Sequence, residues 1–226
     1  MPFSDDPSAT PFEQVPKAVI GRLSLYLREL QYMLKRGEKT TSSTHLGRLL
    51  GFSDTQVRKD LAYFGQFGYP GIGYRCEELM NAIKTIFGTH QRWPVALVGI
   101  GNLGRALLRY KGFSQQGFEI VSAFDIREEL AGTTINEISI YHVDFLQKII
   151  SKQQIKLGII AVPSNAAQFA ADQLVEAGVL GVLNFAPVTV ALPPHIHTVG
   201  VDLAIELEQL AFSVQHLQTP EAETGG

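Results

Sequence analysis

The sequence contains very few of the residues that build disulfide frameworks or metal cages. It has a single cysteine, Cys76, among 226 residues. One cysteine cannot form an intramolecular disulfide or supply a cysteine-based zinc site. His195 and His197 stand close together, but no carboxylate lies near them in sequence to complete a metal site. We therefore expect no bound metal.

Long apolar runs are absent as well. No stretch of about 18 uncharged apolar residues occurs, so no segment is expected to span a bilayer. The first 16 residues are acidic and proline-rich, without the basic and apolar regions of a signal peptide. With 45% hydrophobic and 18% charged residues, the chain is too apolar for a disordered protein. These absences predict a globular cytoplasmic protein that does not associate with membranes.

The net charge of −3 hides an uneven distribution. Residues 17–75 include 10 lysines and arginines but 4 acidic residues, whereas residues 76–226 include 15 acidic and 9 basic ones. A basic segment joined to an acidic body indicates that one module meets a polyanion. The alternative is that these charges only solvate two surfaces.

The basic segment has the pattern of a helix-turn-helix. Apolar residues at spacings of three and four predict a long helix after Pro16. A shorter helix follows the possible N-caps at 40–43, and a tight turn at Gly51 leads to a third helix at 54–64. Two short helices around a glycine-containing turn, with basic residues near the start of the second, are typical of DNA-binding proteins.

Residues 65–74 alternate glycines with aromatics, which predicts a small β-hairpin wing, and a helix at 77–87 closes the domain. Arg58 and Lys59 of the third helix are expected to contact DNA, because such side chains donate to guanine edges and phosphates. The full set of predicted DNA-binding residues is Ser43, Ser53, Gln56, Arg58, Lys59, Tyr63, Gly73 and Tyr74.

After Trp93 the sequence alternates short apolar strands with helices. This alternation predicts an α/β Rossmann fold, a doubly wound parallel sheet covered on both faces. The predicted organisation is a disordered tail at 1–15, a winged-helix domain at 16–89, a Rossmann domain at 90–201, a dimerisation helix at 202–218 and a disordered tail at 219–226.

The first strand of the Rossmann domain ends in Gly-Ile-Gly-Asn-Leu-Gly at 99–104. This G-x-G-x-x-G run follows a strand and opens a helix, as dinucleotide binding requires. Gly99 allows a sharp turn, Gly101 lets the backbone approach a pyrophosphate, and Gly104 lets the helix pack on the strand. The alternative is that the glycines serve only this packing.

Asp125 follows Gly104 by 21 residues, at the end of the second strand. A carboxylate at this place accepts hydrogen bonds from the adenine ribose and repels a 2′-phosphate, which favours NAD(H) over NADP(H). The nearby Arg127 limits that preference. We therefore expect NAD(H) as the cofactor.

Catalysis is not expected. A dehydrogenase needs a general acid or base near the nicotinamide, and His142 with Asp144 lies before a helix that the pair can simply cap. No second domain of dehydrogenase size is present to hold a substrate. Two alternatives stay open: an NAD-dependent dehydrogenase with an appended basic domain, and a Rossmann domain that binds coenzyme A or another nucleotide.

The segment 203–217 is a helix that is apolar on more than one side. Leu203, Leu207 and Leu210 share one stripe, whereas Ile205 and Phe212 lie elsewhere. Such a helix needs more than one neighbour.

Several blocks of the sequence are more specific than either fold. They are Q-V-R-K-D-L-A-Y-F-G-Q-F-G at 56–68, V-G-I-G-N-L-G at 98–104, A-V-P at 161–163 and L-N-F-A-P-V at 183–188. With these blocks, the sequence from about Val15 to Val214 resembles the Rex family of bacterial redox-sensing transcriptional repressors.

The resemblance implies a homodimer that exchanges its C-terminal helix, binds NAD+ or NADH in the Rossmann domain, and represses respiratory or fermentative genes. It implies binding to palindromic double-stranded operator DNA and release of that DNA when NADH binds. A polar triad between domains would fall on Arg28, Tyr110 and Asp202. Leu203 stands where some members carry phenylalanine. The implied cofactor-binding residues are Gly99, Gly101, Asn102 (where some members carry arginine), Leu103, Gly104, Asp125, Ile126, Val162, Pro163, Ala186 and Pro187.

Overall fold

A computed structural model describes residues 15–217. The two predicted tails therefore lie outside the described residues, apart from Val15. The chain divides into two compact units between Gln91 and Arg92.

The N-terminal unit consists of helices joined by one small sheet. Its elements are α1 (Lys17–Lys35), β1 (Thr40–Thr41), α2 (Ser43–Leu50), α3 (Asp54–Ala62), β2 (Tyr74–Arg75) and α4 (Cys76–Ile86). The strands β1 and β2 pair in antiparallel register, with Thr40 opposite Arg75 and Thr41 opposite Tyr74.

The predicted apolar stripe of α1 forms the centre of this unit. Leu23, Tyr26, Leu30 and Met33 are completely buried and pack with apolar residues of α2, α3 and α4. The core also contains Cys76, and burial raises the pKa of its thiol, with a further contribution from the charge of Glu38. Because α2 and α3 both pack against α1, this long helix holds the two short helices in place.

The turn between α2 and α3 follows from its residues. Helix α2 ends at Gly51, which adopts a left-handed conformation with φ of 76°. Ser53 then caps α3, because its hydroxyl accepts a hydrogen bond from the Gln56 N–H at 3.1 Å. This fixes the direction in which α3 leaves the turn.

The hairpin predicted at residues 65–74 is reduced to its tip, where Tyr69 and Gly73 exchange two backbone hydrogen bonds of 2.7 and 3.0 Å. The segment forms a turn that is closed by a single bridge between Tyr69 and Gly73, and the chain then pairs with β1. Gly73 has φ of 81°, and a Cβ atom there would lie 2.3 Å from the Thr41 carbonyl oxygen. The glycine is needed for this close approach to β1.

The C-terminal unit is built on a seven-stranded sheet in the order β5-β6-β4-β3-β7-β8-β9. All neighbouring strands are parallel except β5 and β6. Its elements are β3 (Trp93–Val98), α5 (Asn102–Arg109), α6 (Gly112–Gln115), β4 (Phe118–Asp125), β5 (Thr134–Ile135), β6 (Ile138–His142), α7 (Leu146–Gln153), β7 (Leu157–Ile160), α8 (Ser164–Glu176), β8 (Gly181–Asn184), β9 (His197–Gly200) and α9 (Leu203–Leu217). The Rossmann prediction is confirmed.

The sequence pattern does not predict β5 and β6. No α-helix separates β4 from β6; the connection contains only a short 3-10 turn at 128–130 and the hairpin strand β5. Asn136 and Glu137 take positive φ values of 54° and 67° at the tip of that hairpin. The expected alternation of strand and helix is therefore interrupted at this edge of the sheet.

The two faces of the sheet are covered differently. Helices α7 and α8 pack on one face around Phe124 and Ile160, whereas α5 covers part of the other face around Leu97. The expectation that both faces are covered fails beside β7, β8 and β9. There a groove of 550 Å³ remains open, with the apolar residues Phe113, Leu157, Ile159, Leu183 and Val199 in its lining.

Helix α9 has the bounds that its apolar pattern predicts. Every residue from Leu203 to His216 is exposed, including Leu203 at 69% and Phe212 at 64%. An apolar helix that stays exposed along its length lacks the neighbours that its composition requires.

A buried carboxylate joins α1 to α3. Asp60 is completely buried, and its oxygens accept hydrogen bonds from Arg22 Nε at 2.6 Å, Arg22 Nη2 at 2.7 Å, the Tyr26 hydroxyl at 2.7 Å and Gln56 Nε2 at 2.7 Å. Burial alone would raise the pKa of Asp60, but these donors outweigh it and hold the pKa below its ordinary value. The ionised form is therefore built into the folded unit.

Removing this carboxylate should destabilise the N-terminal unit. We expect Asp60→Ala to lower the free energy of unfolding by about 3–5 kcal/mol, because its buried donors lose their acceptor. Hydrogen exchange in α1 and α3 measures the change. The control is Glu78→Ala, which breaks a half-exposed pair with Arg75 and should cost about 0–1 kcal/mol. If the two variants lose equal protection from exchange, the buried carboxylate of Asp60 does not have the stabilising role given to it here.

The same carboxylate predicts a dependence on pH. Because the folded pKa of Asp60 lies below the unfolded value, its contribution to stability is present above the unfolded pKa and is lost as the pH falls through the folded pKa. Protection of α1 and α3 should thus decline in wild type below about pH 4, and decline less in Asp60→Asn.

Candidate functional site

A cleft opens where the strand order of the C-terminal unit reverses. Strand β3 lies between β4 and β7, and the chain leaves β3 and β7 in opposite directions along the sheet, which is the usual ligand position in such folds. A cavity of 310 Å³ lies at these carboxyl ends. Its lining includes Gly99, Gly101, Asp125, Ile126, Arg127, Val162 and Pro163.

The glycines of this cleft are required for different reasons. Gly99 has φ of 98°, and a Cβ there would lie 2.5 Å from the Ala161 carbonyl oxygen. A Cβ on Gly104 would lie within bonding range of the Gly99 carbonyl oxygen. Nothing lies within 4 Å of the corresponding point at Gly101, which opens towards the cavity. Two glycines therefore serve packing, and the third leaves space at the start of α5.

The start of α5 offers its free N–H groups beside this space, where they and the helix dipole favour a phosphate. Asn102 and Leu103 form the first turn of α5 and are exposed. Neither lines the cavity itself. Asn102 supplies no positive charge at this position.

Asp125 is buried at the end of β4 and is fully hydrogen-bonded. Its Oδ2 accepts from the Ile100 N–H at 2.7 Å, and its Oδ1 accepts from the Arg127 N–H at 3.1 Å. The Arg127 guanidinium donates to both oxygens, at 2.9 Å from Nε and 3.0 Å from Nη2. Burial alone would raise the pKa of Asp125, but these bonds hold it below its ordinary value. The sequence reasoning does not foresee this pair.

The other predicted cofactor residues lie at two places. Ile126 is 70% exposed at the mouth of the first cavity. Ala186 and Pro187 instead line a second cavity of 350 Å³, together with Asp202 at the start of α9. The buried Asn184 shapes that loop, since its side chain bonds the Ala186 N–H at 3.0 Å and the Val188 carbonyl at 2.8 Å. Sequence reasoning also misses Asn184.

The candidate catalytic histidines lie at two places in the C-terminal unit. His142 contacts the Ile126 carbonyl through Nε2 at 3.0 Å and the Asp144 carboxylate through Nδ1 at 3.1 Å. Nδ1 also accepts a hydrogen bond from the Asp144 N–H at 3.4 Å and so caps the short turn at 143–145, whereas Nε2 contacts the chain just after β4. His195 and His197 are exposed. Within residues 15–217, no group of three or more His, Cys, Asp or Glu could hold a metal ion.

Three of the predicted DNA-binding residues, Ser43, Arg58 and Tyr74, are joined by hydrogen bonds. Arg58 is the centre: its Nη1 donates to Asp54 Oδ2 at 2.8 Å and to Ser43 Oγ at 3.1 Å, and its Nη2 donates to Thr55 Oγ1 at 3.3 Å. Tyr74 is buried and bonds Ser43. This network fixes the direction of an exposed guanidinium.

The other members of that set differ in what they can offer. Lys59 is exposed, and Tyr63 is half-buried. Ser53 caps α3, and the side chain of Gln56 is turned towards the buried Asp60. Gly73 packs on β1. Contact of these residues with DNA stays a prediction.

Of the three residues of the implied polar triad, Arg28 lies in the N-terminal unit, and Tyr110 and Asp202 lie in the C-terminal unit. Arg28 is exposed on α1. Tyr110 is 60% exposed after α5, and its ring meets that of Phe113 edge-on at 5.1 Å. Asp202 caps α9, since its Oδ1 accepts from the Ala204 N–H at 2.9 Å. The capping role is thus observed, and the triad stays a prediction.

The geometry defines a class of protein: a basic helix-turn-helix unit joined to a Rossmann unit with an open phosphate-binding cleft. Family models agree, since residues 14–62 match "Putative DNA-binding protein N-terminus" and residues 90–188 match "CoA binding domain". Among the described residues, none of the helices is apolar over enough length to cross a bilayer.

Curated relatives are more specific. The chain is 47% identical over 201 residues to the redox-sensing transcriptional repressor Rex of Desulfitobacterium hafniense, which covers 89% of this chain and 96% of the relative. It is 45% identical over 201 residues to the Rex protein of Pelotomaculum thermopropionicum, with 89% and 94% covered.

Solved structures lead to the same family. The Rex-family repressor RSP, in complex with β-NAD+ and operator DNA, is 34% identical with a TM-score of 0.84, covering 93% of this chain and 99% of that one. RSP in complex with β-NADH is 33% identical with a TM-score of 0.81, covering 91% and 96%. The chain belongs to the Rex family of redox-sensing transcriptional repressors.

The glycine geometry separates folding from binding. We expect Gly101→Ala to keep the thermal stability of the protein, because its Cβ meets open space, and to lose dinucleotide binding, because the same Cβ occupies the approach to the pyrophosphate. Gly104→Ala should instead lower the melting temperature, since α5 must shift away from Gly99. Melting curves and calorimetry with NADH measure both. Unchanged NADH affinity in Gly101→Ala would contradict this role.

Proposed function

We propose that this protein is a transcriptional repressor that binds operator DNA when NADH is scarce and releases it when NADH binds. One observation carries the proposal: the chain combines a basic helix-turn-helix with a glycine-rich dinucleotide cleft. Its relative RSP has the same combination and was solved with NAD+ and operator DNA, and separately with NADH. We propose a cytoplasmic location, because a repressor of this kind acts on chromosomal DNA.

NAD(H) is proposed to occupy the cleft from α5 to β8. The pyrophosphate lies on the backbone at Gly101, where N–H groups of α5 face open space. The adenosine half enters the 310 Å³ cavity beside Asp125 and Val162. The nicotinamide half reaches the second cavity at Ala186, which the start of α9 also lines. A bound cofactor would thus touch the segment that leads into α9.

Regulation without turnover is supported by the side chains around the cleft. The best-placed histidine, His142, has both ring nitrogens engaged, and the curated relatives are named as repressors. Coenzyme A is the second candidate, because residues 90–188 match a CoA-binding family model. Calorimetry with NADH and with coenzyme A separates the two.

A homodimer with exchanged C-terminal helices is proposed from two matching surfaces. Helix α9 exposes leucines and Phe212 along its length. The groove over β7, β8 and β9 is lined largely by apolar residues, among them Leu157, Leu183 and Val199. Burying α9 of a second copy in this groove would remove both surfaces from water.

The function is tested by mobility shifts on a promoter library. Retention of DNA should fall as the NADH/NAD+ ratio rises, and Arg58→Ala should lose about 1–3 kcal/mol of specific affinity, because its guanidinium is aimed by Asp54 and Ser43. Arg36→Ala is the control, since it removes an equal charge from the end of α1. If the amount of DNA retained does not change with NADH, the proposed repressor function is wrong. If Arg58→Ala binds operator DNA as tightly as wild type at the same salt concentration, Arg58 does not contact the DNA.

The switch is tested at Asp202 with the cap preserved. Asparagine caps helices as well as aspartate does, so Asp202→Asn should fold, dimerise and melt like wild type. If Asp202 pairs with Arg28 in one state and with Tyr110 in the other, the variant should lose most of a coupling of about 1–3 kcal/mol between NADH and DNA.

By linkage, the effect of DNA on NADH affinity should fall equally. The readouts are DNA affinity at increasing NADH and NADH affinity with and without DNA. A variant that still releases DNA at the wild-type NADH concentration would end this mechanism.

A further inference from the structure

The carboxylate of Asp125 has no free acceptor position towards the cleft. Each oxygen already accepts two hydrogen bonds: Oδ1 from the N–H and Nε of Arg127, and Oδ2 from the Ile100 N–H and Nη2 of Arg127. A carboxylate oxygen has two lone pairs. A ribose hydroxyl can therefore donate to Asp125 only if the Arg127 side chain leaves.

Arg127 is held firmly in this position. Besides its two bonds to the carboxylate, Nη2 donates to the Ile100 carbonyl oxygen at 2.9 Å. The hydrogen bond to Asp125 and the charge of Asp125 raise the pKa of Arg127. The remaining nitrogen, Nη1, takes part in none of these bonds. The side chain is 43% exposed and lines the cavity beside Gly101 and Ile126.

Because Arg127 covers Asp125, the ribose meets a hydrogen-bond donor where a free carboxylate would offer an acceptor. A 2′-hydroxyl can donate or accept a hydrogen bond, whereas a 2′-phosphate offers only acceptor oxygens at neutral pH. A wall made of a free carboxylate selects the hydroxyl and repels the phosphate. A wall made of a guanidinium donates to either group, and the ion pair beneath it has no net charge to repel an anion.

We propose that Arg127, rather than Asp125, faces the adenine ribose, and that it lets this site accept 2′-phosphorylated dinucleotides such as NADPH as well as NADH. The inference rests on the proposed NAD(H) site and adds a second ligand class to it. Asp125 then acts as a positioning residue, which holds both the guanidinium and the glycine loop.

The ratio of dissociation constants for NADPH and NADH tests the proposal. Calorimetry on the full chain should give a ratio that rises about tenfold or more in Arg127→Ala, which is the loss of one charge-assisted hydrogen bond. NADH affinity should not fall, because the freed Asp125 can then accept from the 2′-hydroxyl. Adenosine 2′,5′-bisphosphate and AMP, which lack the nicotinamide, should repeat the change.

Two further variants separate charge from folding. Arg127→Lys keeps a donor and should recover most of the NADPH binding. Arg92→Ala removes an equal charge from the same unit, where Arg92 pairs with Glu119 at 3.2 Å, and should leave the ratio unchanged. Melting curves confirm that each variant is folded.

The outcomes are distinct. A ratio that is the same in wild type and Arg127→Ala, with NADH bound by both, overturns this inference and leaves the proposed function intact. NADPH binding without NADH binding overturns the proposed function and supports the role of Arg127. Binding of neither dinucleotide overturns both.

Discussion

The first turn of α5 rests directly on the carbonyl of Gly99, and the geometry of the C-terminal unit follows from that approach. A side chain at Gly104 would push the helix away from β3. Because the helix is seated there, the Ile100 N–H points to Asp125 and ties the loop after β3 to the end of β4. The cavity between them is therefore set by backbone contacts, which change little when surface side chains move.

What the sequence could predict was mostly local. The glycine spacing at 99–104 and the apolar spacing in α1 and α9 depend on a few neighbouring residues, so these elements and their faces agree with the structure. The bonds of Arg58 to Asp54 and Thr55 are also local, since both partners lie within one helical turn.

The features that were missed depend on distant contacts. Strand β6 has only five residues and joins the sheet through its pairing with β4, which no local pattern encodes. Within the wing segment Tyr69 pairs with Gly73, whereas Tyr74 and Arg75 pair with the distant strand β1. The bond of Arg127 to the Ile100 carbonyl joins the ends of two strands, although the bonds of Arg127 to Asp125 span only two residues. The bond of Gln56 to Asp60 is different: the spacing of four residues on one helix could have revealed it.

The buried cysteine has a consequence for what this regulator can sense. Thiolates, not thiols, react with peroxides and disulfides, and reactivity requires access to solvent. Cys76 is completely buried at the start of α4, and its pKa is raised. Among the described residues there is no second cysteine with which it could form a disulfide. Burial and the raised pKa both lower the reactivity of this thiol towards oxidants. Because Cys76 is buried, it should react slowly with thiol-labelling reagents. A cysteine introduced on the surface could therefore be labelled selectively without first removing the native one.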